Sequence, residues 1–219
     1  MKKRKTTLGI LILAATLVVG ACGNFGSEKE NSDGSSVKIN NQEWMTKNLN
    51  VSTFRNGDPI PEAKTTEEWE RAGKNKQPAW SYYDNDTKNG EKYGKLYNWY
   101  VVNDPRGLAP EGWHVPSDEE WAQLTDFLGR VEVAGTKMKS KEGWNENGNG
   151  SNESGFSGLP GGNRTYGSFL NIGNVGNWWS STEYNTDYAW YYFLRFYVGR
   201  VNRSFNDKMI GFSVRCLRD

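Results

Sequence analysis

The clearest helical pattern in the chain is VPSDEEWAQLTDFLG, residues 115–129. Ser117 and Glu120, three residues apart, form a capping box, which is a common signal for the start of a helix. Glycine often follows the end of a helix, so Gly129 predicts the stop. Between these signals, apolar residues recur at helical spacing: Trp121, Leu124 and Leu128.

A shorter helix is predicted in TTEEWERAG, residues 65–73. Thr65 or Thr66 can cap it, Trp69 supplies its inner face, and Gly73 is expected to end it. The next apolar segment, KLYNWYVVND at 95–104, fits a helix or a strand equally well by its periodicity.

Strand patterns dominate the two ends of the region from residue 37 onward. VKINNQEWM at 37–45 predicts an edge hairpin that turns at Asn40 and Asn41. AWYYFLRFY at 189–197 predicts a long strand whose even-numbered residues, from Trp190 to Phe196, form the more apolar face. We therefore expect the even face in the core and the odd face toward the loops. In FSVRC at 212–216, Cys216 alternates with polar residues and is expected to be a small buried hydrophobe.

The segment GNWWSST, residues 176–182, indicates either a sheet that is covered on both faces or an apolar surface kept for a partner. Neighbouring side chains on a strand point in opposite directions, so Trp178 and Trp179 must enter different layers. Large aromatics usually serve burial, and both are interpreted as core residues.

Between the helical and strand patterns lies a Gly- and Asn-rich region, residues 141–176. It has little periodicity and is predicted to be a long loop region, which in a compact domain is often functional. Aromatic and aliphatic residues along it predict anchoring to the core: Trp144, Phe156, Leu159, Tyr166, Phe169 and Leu170.

The first 21 residues have the features of a secretory signal: four basic residues at 2–5, an apolar run at 8–19, and then Gly20-Ala21-Cys22. The stretch VVGAC resembles the bacterial lipobox, which implies cleavage before Cys22 and a diacylglycerol group on its sulfur, with palmitate among the expected acyl chains. An ordinary signal peptide with an incidental cysteine is the alternative. Residues 22–36 would then be the lipidated cysteine and a flexible tether, and the domain would span 37–219. We expect an exported protein, anchored by lipid to the cell envelope and specifically to the outer membrane.

Charge and cysteine content argue against a nucleic-acid partner and against a disulfide in the mature chain. The chain has 27 Lys and Arg against 26 Asp and Glu, and loss of the four basic residues of the signal leaves 23 against 26, a net charge of −3. No basic stripe remains, so nucleic acid is not an expected partner. With Cys22 lipidated, Cys216 has no cysteine to pair with in the mature chain.

Six motifs, in order along residues 37–219, resemble the Fibrobacter succinogenes major paralogous domain: QEWMTKNLN, YYDNDTKNGEKYGKLYNW, PEGWHVPSDEEW, ESGFSGLPGGNR, NWWSSTE and GFSVRCLRD. Members are typically lipoproteins or secreted proteins of Bacteroidota and Fibrobacterota. The resemblance implies an α+β, C-type-lectin-like fold: a small twisted antiparallel sheet, a few short helices and long Gly/Asn-rich loops. It also implies that one of the two tryptophans lies against the helices and the other under those loops.

Catalytic chemistry has little support in the sequence. His114 is the single histidine and is interpreted as a structural hydrogen-bonding residue. The stretch WHVPSDEEW is similar to a helix start of the formylglycine-generating enzymes, but those enzymes use a cysteine pair that the mature chain lacks. Asp84 and Asp86 are candidate metal ligands, although the loop departs from the EF-hand pattern and a solvated turn is the alternative. The calcium signatures of lectins are absent, and no cofactor is expected.

Polar-aromatic segments flank the strand at 189–197 and suggest a recognition surface of the kind found in paratopes. The candidate ligand-binding residues are Tyr184, Asn185, Asp187, Tyr188, Asn202, Arg203 and Asn206. The leading hypothesis is a non-catalytic envelope domain that recognises a glycan or protein. The alternatives are an envelope enzyme acting through carboxylates and a structural adhesin subunit. An exposed aromatic-polar patch would favour recognition, and two carboxylates in a cleft would favour catalysis.

Overall fold

The structure is a computed structural model and describes Met1 and residues 35–219. Cys22, the signal segment and most of the tether lie outside the described residues. The strands are β1 (Ser36–Ile39), β2 (Gln42–Met45), β3 (Trp80–Ser81), β4 (Leu96–Tyr97), β5 (Trp113–His114), β6 (Gly161–Arg164), β7 (Phe169–Ile172), β8 (Val175–Glu183), β9 (Tyr188–Arg195), β10 (Val201–Asp207) and β11 (Leu217–Arg218). The α-helices are α1 (Thr66–Lys74), α2 (Thr87–Tyr93), α3 (Trp99–Val102), α4 (Asp118–Phe127) and α5 (Val131–Met138).

The strands form a small sheet, a larger sheet and a short pair. The small sheet has the order β1-β2-β11-β5, so the predicted hairpin is confirmed and lies at an edge, with Asn40 turning at a positive φ of 56°. The larger sheet has the order β10-β9-β8-β6-β7 and is antiparallel except between β6 and β8. Strands β3 and β4 pair separately. The predicted α+β class, with twisted, mainly antiparallel sheets and short helices, is confirmed.

Both predicted helices form with complete capping boxes. Ser117 accepts from the backbone N–H of Glu120, and the Glu120 carboxylate accepts from the N–H of Ser117. Thr65 and Glu68 repeat this arrangement at α1. The predicted end of α1 is wrong by one residue, because Gly73 lies inside the helix. A Cβ at Gly73 would come within 2.5 Å of Met209, so packing explains the glycine.

The ambiguous segment at 95–104 contains both kinds of element. Strand β4 ends at Tyr97, and α3 starts at once with Asn98 as its cap, accepting from the N–H of Val101. The Gly- and Asn-rich region is likewise not entirely loop, since it contains β6 and β7. Glycine weakens the strand signal in sequence. At Gly162, with a φ of 68°, a Cβ would lie 2.5 Å from the carbonyl oxygen of Leu170.

The larger sheet is covered on both faces, as the paired tryptophans require. Trp178 and Trp179 are 1% and 0% exposed. The ring centroid of Trp178 lies 5.7 Å from that of Phe156 and 6.3 Å from that of Trp121 on α4. On the other face, Trp179 packs 4.5 Å from Phe212, and its indole N–H donates to the carbonyl of Tyr97.

The expected division of helices and loops between the two faces is wrong. Phe156 and Trp144, which anchor the Gly/Asn-rich region, share the Trp178 side with α4. This region follows α5 and returns alongside it through a parallel bridge between Lys139 and Gly158, which keeps it on the helical side. Segments from residues 45–115 and 210–216 cover the Trp179 side instead.

The odd face of β9 packs into the Trp179 core along most of the strand and is exposed only at Arg195, contrary to the expectation that it faces the loops. Phe193 is buried, and Tyr191 packs against the Trp179 core. On the even face, Tyr192 and Leu194 are buried as predicted, whereas Trp190 and Phe196 are only partly covered. A strand with two covered faces cannot be assigned one inner face from its more apolar residues.

The C-terminal segment carries a buried cation between the layers. Arg215 is fully buried, donates to the carbonyl of Phe156 and to Oδ1 of Asn48, and stacks 4.2 Å from the Phe156 ring. Its neighbour Cys216 is buried on the opposite side, which confirms the prediction for this thiol. Burial raises the pKa of Cys216 to about 12, so it is an unreactive apolar residue near neutral pH.

Candidate ligand-binding surface

Four aromatic rings form an exposed cluster at the open end of the β8–β9–β10 ribbon. We call Tyr184, Tyr188, Trp190 and Phe205 the aromatic platform. Tyr184 and Phe205 stack face to face, with centroids 4.0 Å apart and an interplanar angle of 4°. Both stand nearly perpendicular to Trp190, and Tyr188 meets the Phe205 ring at 82°. Tyr184, Tyr188 and Phe205 remain 45%, 39% and 43% exposed.

Strand register places these rings on one face. Trp190 lies directly opposite Phe205 in the β9–β10 pair, and Tyr188 precedes Trp190 by two residues on the same strand. Tyr184 begins the turn between β8 and β9, which Asn185 stabilises by accepting from the N–H groups of Asp187 and Tyr188. This turn brings Tyr184 back over the face that carries Phe205.

Arg203 connects the platform to the nearest helix. Its guanidinium binds the Asp118 carboxylate through two hydrogen bonds of 2.6 and 2.7 Å and lies 3.3 Å from the centroid of the Trp190 ring. The hydrogen bond with Asp118 raises the pKa of Arg203. Asp118 also accepts from the hydroxyl of Tyr192, whose pKa is raised mainly by burial and then by the Asp118 charge. Arg203 therefore covers one face of Trp190 and holds the sheet to the start of α4.

The charged groups beside the platform have local partners. Buried Lys208 pairs with Glu183 and donates to the carbonyl of Thr186. The Lys76 ammonium lies 3.8 Å from the Asp187 carboxylate. Asp207 accepts from the Tyr166 hydroxyl at 3.2 Å and from the backbone N–H of Met209 at 2.8 Å. The platform is thus bordered by ion pairs and internally bonded carboxylates.

The structure brings together part of the predicted ligand-binding set. Tyr184, Tyr188 and Arg203 share the platform face, with Asn185 and Asp187 in the adjoining turn. Asn202 and Asn206 belong to the other face, because they lie opposite Phe193 and Ala189 and alternate with Arg203 and Phe205. Strand alternation therefore divides the candidates that lie on β9 and β10 between two faces, which sequence proximity alone does not reveal.

Sequence reasoning missed two members of the platform. The alternation in AWYYFLRFY predicts a core position for Trp190, and no sequence pattern considered above includes Phe205. The pattern VNRSFND at 201–207 held the signal, since it places Phe205 on the same face as Arg203. Recognising the site also required the pairing register that sets Phe205 against Trp190.

Comparison with known families assigns the chain. The Fibrobacter succinogenes major domain matches residues 37–218, which is nearly all of the described region. The chain belongs to the Fibrobacter succinogenes major domain family. Neither the curated proteins nor the solved structures contain a significant match. Within the described residues of this family member, the helices are all too short or too polar to cross a membrane.

The candidate metal ligands of this family member do not converge with other ligands. Asp86 caps α2 by accepting from the N–H of Lys88 at 2.9 Å, and Asp84 adopts a left-handed φ of 53° in the preceding 3-10 turn. Within residues 35–219, no three His, Cys, Asp or Glu side chains are grouped to hold a metal ion. The geometry gives Asp86 a capping role.

His114 makes the structural hydrogen bonds expected for it. Its Nδ1 lies 2.8 Å from Asp219 Oδ1, and its Nε2 lies 2.9 Å from Glu120 Oε1. Burial lowers the pKa of His114, but the hydrogen bonds and charges of the two carboxylates exceed that effect, so the net pKa is raised. The imidazole thereby links the C-terminal residue to the capping box of α4.

A groove of about 380 Å³ lies elsewhere on this domain, beside α1. Its lining includes Glu62 and Glu68, together with Arg71 and Arg106. Glu68 belongs to the capping box of α1, and backbone hydrogen bonds from Thr65 and Lys64 lower its pKa. A general acid requires a raised carboxyl pKa, so the environment of Glu68 is unsuited to that role.

Proposed function

We propose that this family member is an exported envelope lipoprotein whose C-type-lectin-like domain recognises a glycan or protein ligand, without catalysis, through the aromatic platform. The observation that carries the proposal is the platform itself. Three of its rings are each about 40% exposed or more in a domain that buries most of its other large aromatics. Contiguous exposed apolar surface with a polar border commonly marks an interaction site.

The platform has the composition of a binding surface rather than of an incomplete core. Tyrosine and tryptophan provide rigid contact area at low entropic cost, and asparagine and aspartate provide hydrogen bonds. Arg203 fixes Trp190 from one side, and the turn hydrogen bonds of Asn185 fix the approach to Tyr188. A surface held in place before binding loses less entropy when a ligand arrives.

The enzyme alternative has weaker support. In the groove beside α1, Glu68 is already used in helix capping. On the platform, Asp118 and Glu183 are each ion-paired with a cation. The adhesin alternative would use the outer edge of β10, which ends the larger sheet. Arg203 and Phe205 on that strand face the platform, which favours side-chain recognition over strand addition.

The lipid anchor is a separate part of the proposal, supported by VVGAC and the preceding apolar run. Cys22→Ser should prevent incorporation of labelled fatty acid and release the protein from membranes. A variant that stays with the membrane fraction, alongside a wild-type chain that takes up no label, would contradict the lipoprotein assignment.

Binding to immobilised envelope glycans and envelope proteins tests the recognition function. We expect Tyr184→Ala and Phe205→Ala to abolish or strongly weaken capture while the melting temperature changes little. Tyr197→Ala is the matched control, since Tyr197 is an exposed tyrosine that follows β9 away from the platform. Equal capture by wild type, platform variants and control would exclude the platform as the site.

A further inference from the structure

We infer that the ligand of the aromatic platform is an uncharged glycan, whose sugar rings stack on the Tyr184–Phe205 pair. The inference rests on the proposed recognition function and names its ligand class. Three features of the described residues lead to it: ring geometry, local charge and free hydrogen-bonding groups.

The ring geometry provides a flat apolar surface. Because Tyr184 and Phe205 stack on each other at 4.0 Å, the exposed part of each ring lies on its outer face and its edges. Aromatic faces carry partial negative charge. The C–H groups on one side of a pyranose ring are weakly positive and nearly coplanar, so they complement such a face.

The local charge pattern selects a neutral ligand. Arg203 is bound to Asp118, Lys208 to Glu183, and Lys76 lies near Asp187. Both carboxylate oxygens of Asp207 accept internal hydrogen bonds. A polyanion would need unpaired cations here and a polycation would need unpaired carboxylates, because charge complementarity steers such partners. The three cations named here are all paired, and among the named carboxylates only Asp207 lacks a cation, so no cluster of unpaired charge of either sign borders the platform.

Hydrogen-bonding groups at the rim complete the match to a sugar. In the described part of the chain, the hydroxyls of Tyr184 and Tyr188 make no hydrogen bond, and the amide of Asn185 uses only its oxygen in the turn. The two hydroxyls belong to platform rings and the amide belongs to the turn that adjoins them, so a sugar stacked on the rings would have donors and acceptors beside it. Exposed polar atoms of this kind can exchange water for ligand hydroxyls at little cost.

A protein partner fits the surface less well. Stable protein interfaces cover about 800 Å² on each partner and are centred on apolar side chains in pockets. Within residues 35–219, Tyr166 is linked to the platform border through Asp207, and the other exposed large apolar residues make no ring contact with the platform: Phe127, Val133, Leu170 and Tyr197. The apolar area is therefore small and flat, as a short glycan segment requires.

Affinity electrophoresis of the full-length chain in detergent tests the inference. The gels contain neutral mixed-linkage β-glucan, xylan, galactomannan or pullulan, anionic polygalacturonate, or cationic chitosan. We expect retardation in at least one neutral gel, and less than about a twofold change in affinity between 0.05 and 0.5 M NaCl, because no ion pair with the ligand is involved. Tyr184→Ala and Phe205→Ala should each weaken binding at least about tenfold.

Two further variants serve as controls, one for the hydroxyl of Tyr184 and one for the loss of an exposed tyrosine away from the platform. Tyr184→Phe keeps the ring and should retain most of the affinity, whereas Tyr197→Ala should bind as the wild type does. Absence of retardation in every neutral gel, or preference for a charged polysaccharide with strong salt dependence, overturns the glycan inference. If the platform variants instead lose capture of a protease-sensitive envelope component, the glycan inference is wrong and the recognition function stands. If a glycan binds the wild type and all variants equally, both the glycan inference and the recognition function of the platform are wrong.

Discussion

Two aromatic clusters lie on one face of the larger sheet, and one is buried while the other is largely exposed. The covered cluster, comprising Trp44, Trp121, Phe156, Trp178 and Tyr192, is buried throughout. The aromatic platform begins two residues earlier on β9, at Trp190, and is largely open. The two have similar residue types and similar ring spacings, with Trp121 and Tyr192 stacked at 5.2 Å and Tyr184 and Phe205 at 4.0 Å.

The start of α4 explains the difference. The chain crosses β8 where the N–H of Ser181 donates to the carbonyl of Pro116 and the N–H of Asp118 donates to the Thr182 hydroxyl. From there α4 runs over the covered cluster and leaves the turn end of the ribbon bare. Identical aromatic chemistry therefore contributes to folding on one side of this crossing and remains available for binding on the other.

The largest expected effect on stability comes from Trp121→Ala in the covered cluster. Trp121 is fully buried and touches Trp44, Phe156, Trp178 and Tyr192. Its truncation should lower the free energy of unfolding by about 3–5 kcal/mol. Chemical denaturation measures this, with Phe205→Ala as the matched change on the platform, expected to cost about 1 kcal/mol or less. Equal losses at the two sites would show that the platform is part of the core.

Arg215→Met should produce the next largest loss. The variant keeps a long apolar side chain but removes the donor that satisfies the buried carbonyl of Phe156. An unsatisfied buried acceptor costs about 1–3 kcal/mol, and denaturation midpoints should fall accordingly. Arg218→Met is a control of the same chemistry at a half-exposed position. A neutral effect at Arg215 would mean that its packing, not its hydrogen bonds, holds the Trp178 side together.

Arg203→Ala tests the contribution of the residue that lies between the two clusters, where it contacts both Trp190 and Asp118. Its ion pair with Asp118 is partly exposed and its contact with Trp190 is close, so we expect a loss of about 1 kcal/mol in the free energy of unfolding. A double-mutant cycle with Asp118→Ala separates the ion pair from the ring contact. Near-zero coupling would leave the stacking on Trp190 as the main role of Arg203.

The smallest expected effect is the pH dependence contributed by His114. Its folded pKa is raised, so the stabilisation is complete below the unfolded pKa of about 6.5 and is lost as pH rises through the folded pKa. The melting-temperature difference between wild type and His114→Gln should shrink from pH 6 to pH 8. We expect the contribution of His114 to the free energy of unfolding to change by under about 1 kcal/mol over this range, since its contacts with Glu120 and Asp219 are partly exposed. If the difference in melting temperature grew with pH, the folded pKa of His114 would be lowered and not raised.

Much of the fold could be predicted where the signal is local. Three predictions depend on residues close in sequence: the caps of the two helices, of which only the Ser117 capping box is specified in full, the hairpin at 37–45 and the paired tryptophans. Strands β6 and β7 could not be predicted, since Gly162 and its neighbours lack strand propensity and are explained only by close backbone approach. Part of the candidate site is predictable from sequence: Tyr184, Tyr188 and Arg203 lie on one face, whereas Asn202 and Asn206 lie on the other.

The sequence by itself determined the family, the α+β class, the capped helices and the demand for a sheet with two covered faces. Each follows from spacing along the chain, through helix periodicity, strand alternation or ordered motifs. Only the tertiary structure decided which segments cover each face, that Arg215 is buried, and that Trp190 and Phe205 form an exposed platform. These outcomes depend on where α4 crosses β8 and on the register of β9 with β10, contacts between distant residues that local patterns do not encode.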